Sequence, residues 1–201
     1  MNEGMNYFWS TPIFKSTIKN KILLNDIINY ILLKENNTDN NLPIDKISIF
    51  DDPFFNSFIS EEILPAFETY FKKELNISLD NQNFSLNGWI NGVDNKFQMP
   101  THNHKGSHIS AVFYLLTEEE KGGSLIINDP RFNSNRGYRE IFNKWFESLY
   151  FKPKTGDIVM FPSFLYHGVQ SFFGSVRLSM PVDLTIHGVK DKTELNIKNN
   201  E

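Results

Sequence analysis

The chain has 201 residues, of which 40% are apolar and 14% aromatic, enough for one sizeable hydrophobic core. Its formal net charge of −4 and the lack of a dense Lys/Arg cluster argue against nucleic acid as a main partner. Cysteine is absent, which excludes disulfides, thiolate–zinc sites and cysteine nucleophiles, and leaves histidine and carboxylate as the strong metal ligands.

The N-terminal sequence has no signal-peptide pattern, and the chain has no apolar stretch long enough to span a membrane as a helix. We therefore expect a protein without a membrane segment, located in the cytoplasm. Nothing in the sequence excludes a homodimer.

The first third of the chain is predicted to form helices that pack on a core. A short extended piece at "STPIF" precedes "IKNKILLNDIINYILLKEN", whose apolar residues recur at helical spacing. A second helix is predicted at "SEEILPAFETYFKKEL", with Ser60 as its N-cap and Pro65 near its first turn. We assign residues 1–83 to this strand-and-helix region, within one structural domain overall.

From residue 84 onward, short apolar or alternating runs bounded by turn residues predict antiparallel strands in a sandwich or barrel. The runs are "FSLNGWING", "HISAVFYLL", "GSLIIND", "DIVMFPS" and "VRLSMPVDLTI". They place a mainly β core in residues 84–187. The segment "YREIFNKWFESLY" predicts a helical insert near residues 138–149, which serves either as packing or as a lid. Residues 188–201 are predicted to be a polar tail.

Three of the five histidines lie in "PTHNHKGSH". In a strand, His102 and His104 project from the same face and can bind one ion together. His167, which follows the apolar run "DIVMFP", is the candidate third ligand. We expect His108 and His187 to be surface or hydrogen-bonded residues instead.

A candidate anion site lies on the strand after His167. Arg177 and Ser179 share a face of that strand, and a guanidinium beside a hydroxyl is suited to binding a carboxylate through charge-assisted hydrogen bonds. The alternative is an exposed strand arginine, which is common. A metal with open coordination positions beside a carboxylate clamp indicates a small oxo-acid cosubstrate.

The motif order resembles the 2-oxoglutarate and Fe(II)-dependent oxygenases. The motifs are "PTHNH", "SAVFYLL", "GGSLIINDPR", "KTGDIVMFPSFLYHGV" and "RLS". The chain is similar to the prolyl-hydroxylase-like branch and to the 2-oxoglutarate/iron oxygenases of marine bacteria and their phages. The resemblance covers residues 84–184 well and the N-terminal third loosely. It implies a double-stranded β-helix core, the jelly roll that cupins also have.

The resemblance also implies roles for particular residues. His102 and His167 would bind iron, and Arg177 with Ser179 would bind the far carboxylate of 2-oxoglutarate. Tyr114 matches a tyrosine that reaches the same carboxylate, although an aromatic residue in an apolar strand is otherwise part of the core.

The chain departs from the superfamily at His104, where most members have Asp or Glu. If His104 binds the metal, the ligand set is three neutral imidazoles; otherwise His104 supports a ligand or contacts the substrate. Asp129 in "NDPR" is then the alternative source of a carboxylate. A three-histidine site carries one more positive charge than a site with one carboxylate, and imidazole also binds Zn, Ni and Cu.

We therefore predict an Fe(II)- and 2-oxoglutarate-dependent dioxygenase that uses O2. It would couple decarboxylation of 2-oxoglutarate to succinate with hydroxylation of a C–H bond in an unidentified small-molecule or peptidic substrate. The alternative is a cupin-like metal protein that does not use 2-oxoglutarate: an isomerase, a thiol dioxygenase or a binding module, with His108 in the place of the cupin glutamate. A sugar- or peptide-binding jelly roll without metal is the third hypothesis. Arg177 distinguishes the oxygenase hypothesis from the cupin hypothesis, because a cupin needs no arginine clamp on that strand.

Overall fold

The computed structural model describes residues 10–36, 48–93, 96–131 and 148–189. Most of its regular structure is β-strand, as the sequence predicts. The strands are β1 (Phe14–Thr17), β2 (Gln82–Gly88), β3 (Asn91–Val93), β4 (Met99–His102), β5 (Ile109–Leu116), β6 (Leu125–Ile127), β7 (Leu149–Phe151), β8 (Asp157–Pro162), β9 (His167–Val169) and β10 (Arg177–Val189).

The strands form two antiparallel sheets. The larger sheet has the order β1-β8-β5-β10-β2, with β3 also paired to β10, and the smaller sheet has the order β4-β9-β6-β7. Each apolar run predicted from the sequence contains a strand. Neighbours in these sheets are distant in sequence, so residues from β4, β5, β9 and β10 meet in one region.

Helix α1 (Lys21–Asn36) follows β1. Its start is fixed by two side chains: the Leu23 N–H donates to Asn20 Oδ1 at 3.0 Å, and the Asn20 N–H donates to Glu62 Oε1 at 2.7 Å. Asn is a favoured N-cap, and a carboxylate stabilises the positive end of the helix dipole. Glu62 thereby links α1 to the second helical segment.

The second helical segment begins earlier than the sequence predicts. Asp52 caps its start by accepting a hydrogen bond from the Phe54 N–H at 3.1 Å. The segment consists of a 3-10 turn (Pro53–Phe55), α2 (Asn56–Phe58), a π turn (Ile59–Ile63), α3 (Leu64–Tyr70) and a second π turn (Phe71–Leu75). Ser60 lies inside the first π turn, so the prediction that it is the N-cap was wrong. "DP" at Asp52 and Pro53 is the actual start signal.

The two faces of β10 have different environments. One face packs with the helices in the main hydrophobic core; its residues are Leu178, Met180, Val182 and Leu184. The opposite face is also buried but mostly polar; its residues are Arg177, Ser179, Pro181 and Asp183. This strand alternation places the polar residues between the two sheets.

The main core contains side chains from α1, the second helical segment, β5, β8 and β10. Of the predicted helical insert, residues 138–147 lie outside the described residues. Leu149 begins β7, so a helix does not extend to residue 149 as predicted. Residues 190–201 of the predicted tail also lie outside the described part. No helix among the described residues combines the length and hydrophobicity needed to cross a membrane.

Candidate active site

Three histidines converge between the sheets. His102 ends β4 and lies directly opposite His167, the first residue of β9. His104 lies beyond the end of β4, where its N–H donates to Ser163 O at 3.1 Å. The candidate ligand atoms of the three lie within 4.8 Å of one another. As the sequence predicts, His102 and His104 project to the same side, with ring centres 5.2 Å apart, although His104 lies just beyond the end of the strand.

Each of the three imidazoles is oriented by a hydrogen bond from Nδ1. The acceptors are Pro100 O for His102 at 2.8 Å, both carboxylate oxygens of Asp183 for His104 at 2.7 Å each, and Leu165 O for His167 at 2.9 Å. These oxygens accept hydrogen bonds, so Nδ1 carries the proton in every case. The Nε2 atoms therefore present lone pairs, as metal ligands require.

The Nε2 lone pairs are close enough together to favour a cation between them. His104 Nε2 lies 3.2 Å from His102 Nε2, a distance at which two unprotonated nitrogens repel each other unless a cation lies between them. Burial lowers the pKa of His167 to about 4, so this imidazole is neutral at physiological pH. The donor set thus fits a metal ion bound by three nitrogens.

Gly168 allows the two histidine-bearing strands to approach. A Cβ atom at this position would lie 2.8 Å from Met99 O on the neighbouring strand, closer than a Cβ carbon approaches a backbone oxygen. Glycine directly after His167 therefore permits the β4–β9 pairing that sets His167 opposite His102.

The predicted anion clamp lies on the larger sheet. Arg177 Nη1 donates to Ser179 Oγ at 3.3 Å, and the guanidinium Cζ lies 5.3 Å from the centre of the Tyr114 ring. Ser179 is paired with Tyr114 in the β10–β5 register, which holds the three side chains together. Arg177 is only 3% exposed, so the alternative of a surface strand arginine is wrong.

Two polar atoms of this clamp lack hydrogen-bond partners among the described residues. They are the Tyr114 hydroxyl and Arg177 Nε, and both are fully buried. Burial raises the pKa of Tyr114 to about 12 and lowers the pKa of Arg177, but an arginine keeps its charge at neutral pH. A buried cation beside an unsatisfied hydroxyl is costly unless an anion binds there.

The histidine cluster and the clamp line one cavity of about 100 Å³. Its apolar walls come from strands of both sheets and from the stretch of chain between the end of β2 and the start of β4. The lining residues are Trp89, Asn91, Phe97, Met99, His102, His104, Val112, Tyr114, Leu125, His167, Val169, Arg177, Ser179 and Pro181. All six predicted site residues therefore face the same cavity.

The other predicted candidates lie elsewhere. His108 Nδ1 accepts a hydrogen bond from the Ile186 N–H at 3.1 Å, and His187 Nε2 lies 2.9 Å from Ser85 Oγ. Asp129 accepts hydrogen bonds from Arg131. Neither these histidines nor Asp129 belongs to the three-histidine cluster found among the described residues.

The polar network behind His104 was not predicted from the sequence. Asp183 is 6% exposed and accepts a hydrogen bond from the Ser110 hydroxyl at 2.7 Å, in addition to the bond from His104. The Ser163 hydroxyl lies 2.8 Å from that of Ser110. A signal was present, since Asp183 shares the face of β10 that carries Arg177 and interrupts an otherwise apolar run.

A family model described as "Putative 2OG-Fe(II) oxygenase" matches residues 87–183. The match contains all three clustered histidines and the arginine clamp. This matched region, just under half of the chain, is similar to the 2OG-Fe(II) oxygenases. The likeness supports the predicted oxidoreductase with Fe(II) as cofactor, 2-oxoglutarate as cosubstrate and O2 as the expected oxidant.

Several solved structures share the fold at low sequence identity. A prolyl-4-hydroxylase from Pseudomonas putida aligns with a TM-score of 0.60 and 13% identity, over 89% of this chain and 90% of that one. HygX from Streptomyces hygroscopicus, solved with nickel and 2-oxoglutarate bound, aligns with a TM-score of 0.59 and 13% identity, over 87% and 83%.

A viral collagen prolyl hydroxylase from Paramecium Bursaria Chlorella virus-1 aligns with a TM-score of 0.56 and 12% identity, over 92% of this chain and 98% of that one. No curated protein matches the chain. The structural likeness therefore supports the fold, whereas the roles of individual residues depend on the geometry of the site itself.

Proposed function

We propose that the chain is a hydroxylase whose iron is bound by His102, His104 and His167. The observation that carries this proposal is the convergence of three Nε2 lone pairs beside a buried cation that has no anionic partner among the described residues. Together they provide one metal position and one carboxylate position in the same cavity. We also propose that the two sheets are the halves of a double-stranded β-helix.

Iron bound at the triad would supply the chemistry by which O2 decarboxylates 2-oxoglutarate to succinate and CO2 and oxidises a C–H bond of the substrate. The protein holds the reactants in place. Pro100 O, Leu165 O and Asp183 keep the Nδ1 protons of the histidines fixed, so the three donor atoms need no reorganisation on binding.

The far carboxylate of 2-oxoglutarate would lie against Arg177 and Tyr114. Arg177 Nε and the Tyr114 hydroxyl would then gain an acceptor that the described part of the chain does not provide. Ser179 holds one side of the guanidinium. The apolar side chains of the cavity wall would lower the local dielectric constant and so strengthen this ion pair.

The geometry argues against the cupin alternative. In that hypothesis His108 replaces the glutamate ligand, but its Nδ1 accepts the Ile186 N–H instead. A cupin that does not use 2-oxoglutarate has no need for the buried Arg177 beside the metal position. The clamp therefore favours a carboxylate cosubstrate.

We propose a small-molecule or peptidic substrate that approaches from the side of the loop before His167. Phe164 and Tyr166 on this loop are 57% and 55% exposed, although large aromatic side chains are usually buried. Such side chains would contact an apolar or aromatic part of the substrate next to the metal.

The test is an anaerobic titration of the apo-protein with Fe(II) and then with 2-oxoglutarate. We expect a weak visible charge-transfer band, followed by slow uncoupled formation of succinate when O2 is admitted. His167→Ala should show neither signal. His187→Ala is the matched control, because it removes a histidine outside the cluster, and it should behave as the wild type. A wild-type protein with no band and no succinate above the His167→Ala background would disprove the proposal.

A further inference from the structure

The hydrogen-bond partner of His104 differs from those of the other two clustered histidines. His102 and His167 donate to backbone carbonyls, which are neutral, whereas His104 donates to the Asp183 carboxylate. Both Asp183 oxygens lie 2.7 Å from His104 Nδ1. A charged acceptor makes the hydrogen bond stronger and makes the imidazole a better electron donor.

The contacts that Asp183 makes within the described residues do not balance the charge of its buried carboxylate. It lies on the polar face of β10 and is 6% exposed. Its partners among the described residues are His104 and the Ser110 hydroxyl, with no Lys or Arg in contact. A buried carboxylate without a cationic partner is costly, and a metal ion bound to His104 would supply the missing positive charge.

The network also connects His104 to the loop that holds His167. The Ser110 hydroxyl donates to Asp183 and lies 2.8 Å from the Ser163 hydroxyl. Ser163 O accepts the His104 N–H, so the same residue contacts both ends of the network. Asp183 is therefore fixed in position before any ligand binds.

We propose that Asp183 is a positioning residue that provides the site's negative charge through His104. Non-haem iron oxygenases usually place one carboxylate directly on the metal. Here the carboxylate would act one hydrogen bond away, keeping His104 as the Nδ1–H tautomer and offsetting the charge that a third imidazole leaves uncompensated. The inference rests on the proposed metal site, because it assigns His104 as a ligand.

The test compares metal binding by wild type and Asp183→Asn, with Co(II) as a spectroscopic probe. Asn is isosteric and still accepts the Nδ1–H bond, but it carries no charge. We expect the Co(II) affinity to fall about 10- to 100-fold, the range for partners of metal ligands. Asp157→Asn is the matched control, since Asp157 is 5% exposed on β8 and contacts Lys15 and the Lys154 N–H. It should not change the Co(II) affinity.

A second readout separates charge from simple structural support. Loss of a negative charge near the iron destabilises Fe(III) more than Fe(II), so the midpoint potential of bound iron should rise in Asp183→Asn and stay unchanged in Asp157→Asn. An Asp183→Asn protein that folds and keeps both the wild-type affinity and the wild-type potential would overturn the inference.

The wild-type apo-protein gives a measurement that needs no variant. Histidine 15N NMR should show His104 protonated on Nδ1; protonation on Nε2 alone would contradict the proposal even if Asp183→Asn fails to fold. The proposed function fails separately, namely if the wild-type protein does not bind Co(II) or Fe(II) at the histidine cluster.

Discussion

The polar groups at the two ends of the cavity differ in whether they have hydrogen-bond partners within the protein. At the histidine end, every Nδ1 has an acceptor, and Asp183 is bonded to His104 and Ser110. At the arginine end, the Tyr114 hydroxyl and Arg177 Nε are buried without partners among the described residues. The first end is prepared to orient lone pairs towards a cation, and the second has positive charge and donors available for an anion.

Satisfied and unsatisfied polar groups thus identify different parts of one site. Fixed donors around a metal reduce the reorganisation needed on binding. Unsatisfied donors cost stability in the free protein and are compensated when the ligand arrives. Substitutions at the two ends should therefore separate metal affinity from 2-oxoglutarate affinity.

The largest effect is expected at the metal end. His167→Ala removes one nitrogen donor, and we expect Fe(II) affinity to fall more than about 100-fold, beyond the loss typical for partners of ligands. Succinate formation should fall to background. Anaerobic Fe(II) titration and a succinate assay measure both quantities. Retention of wild-type Fe(II) affinity in His167→Ala would show that the metal lies elsewhere.

The next effect is expected at the anion end. Arg177→Met removes the buried charge, and 2-oxoglutarate binding to the metal-loaded protein should weaken by roughly 2–5 kcal/mol, which is about 30-fold or more. Co(II) affinity should stay within a few-fold of wild type. Calorimetry measures both constants.

Arg177→Lys is the matched variant for this end, because it keeps the charge but loses Nε and the planar fork. Its 2-oxoglutarate affinity should lie between those of wild type and Arg177→Met. Equal 2-oxoglutarate binding by all three proteins would contradict the clamp.

For Tyr114→Phe we expect a smaller loss of 2-oxoglutarate affinity, without a loss of stability in the free protein. Loss of the hydroxyl should weaken 2-oxoglutarate binding by about 1.5–3 kcal/mol, as for a hydrogen bond to a charged group. The free protein should be at least as stable as wild type, since the hydroxyl is buried without a partner among the residues that the structure describes. Thermal unfolding with and without 2-oxoglutarate checks both signs, and a clear loss of stability in the free protein would argue against an unsatisfied hydroxyl.

The smallest effect is expected at Gly123, which lies against the arginine stem. Its φ is +73°, and a Cβ atom there would lie 3.3 Å from both Arg177 Cδ and Nε. Gly123→Ala should destabilise the fold by about 1 kcal/mol and also weaken 2-oxoglutarate binding a few-fold.

Gly106→Ala is the control for this backbone effect. Gly106 has a φ of +95°, and a Cβ atom added there would meet no described atom within 4 Å, so its substitution shares the backbone cost without the contact to Arg177. Both variants should lower the midpoint of thermal unfolding, but only Gly123→Ala should change 2-oxoglutarate affinity. The same affinity loss in both would assign it to backbone strain alone.

The sequence predicted which strands and helices form more accurately than it predicted where they begin and end. Hydrophobic runs located β5, β8 and β10, and strand alternation placed Arg177 and Ser179 on one face. The start of the second helical segment was predicted at Ser60 rather than at Asp52, because the acidic first-turn residues after Ser60 resemble a helix start.

The contacts of Asp183 depend on long-range strand pairing, which the sequence alone does not reveal. Asp183 meets Ser110 because β10 pairs with β5, and it meets His104 because the irregular segment after β4 lies against that pair. Neither contact follows from local spacing. Only the occurrence of a carboxylate on the buried face that carries Arg177 pointed to a role for Asp183.

The central claim is that one cavity binds iron at three histidines and 2-oxoglutarate at Arg177. A crystal structure of the protein with Fe(II) and 2-oxoglutarate, grown without O2, tests it most directly. We predict iron bound to Nε2 of His102, His104 and His167, the far carboxylate of 2-oxoglutarate on Arg177 and Tyr114, and Asp183 bound to His104 but not to the metal. Iron coordinated directly by Asp183 or Asp129, or 2-oxoglutarate bound away from Arg177, would contradict it.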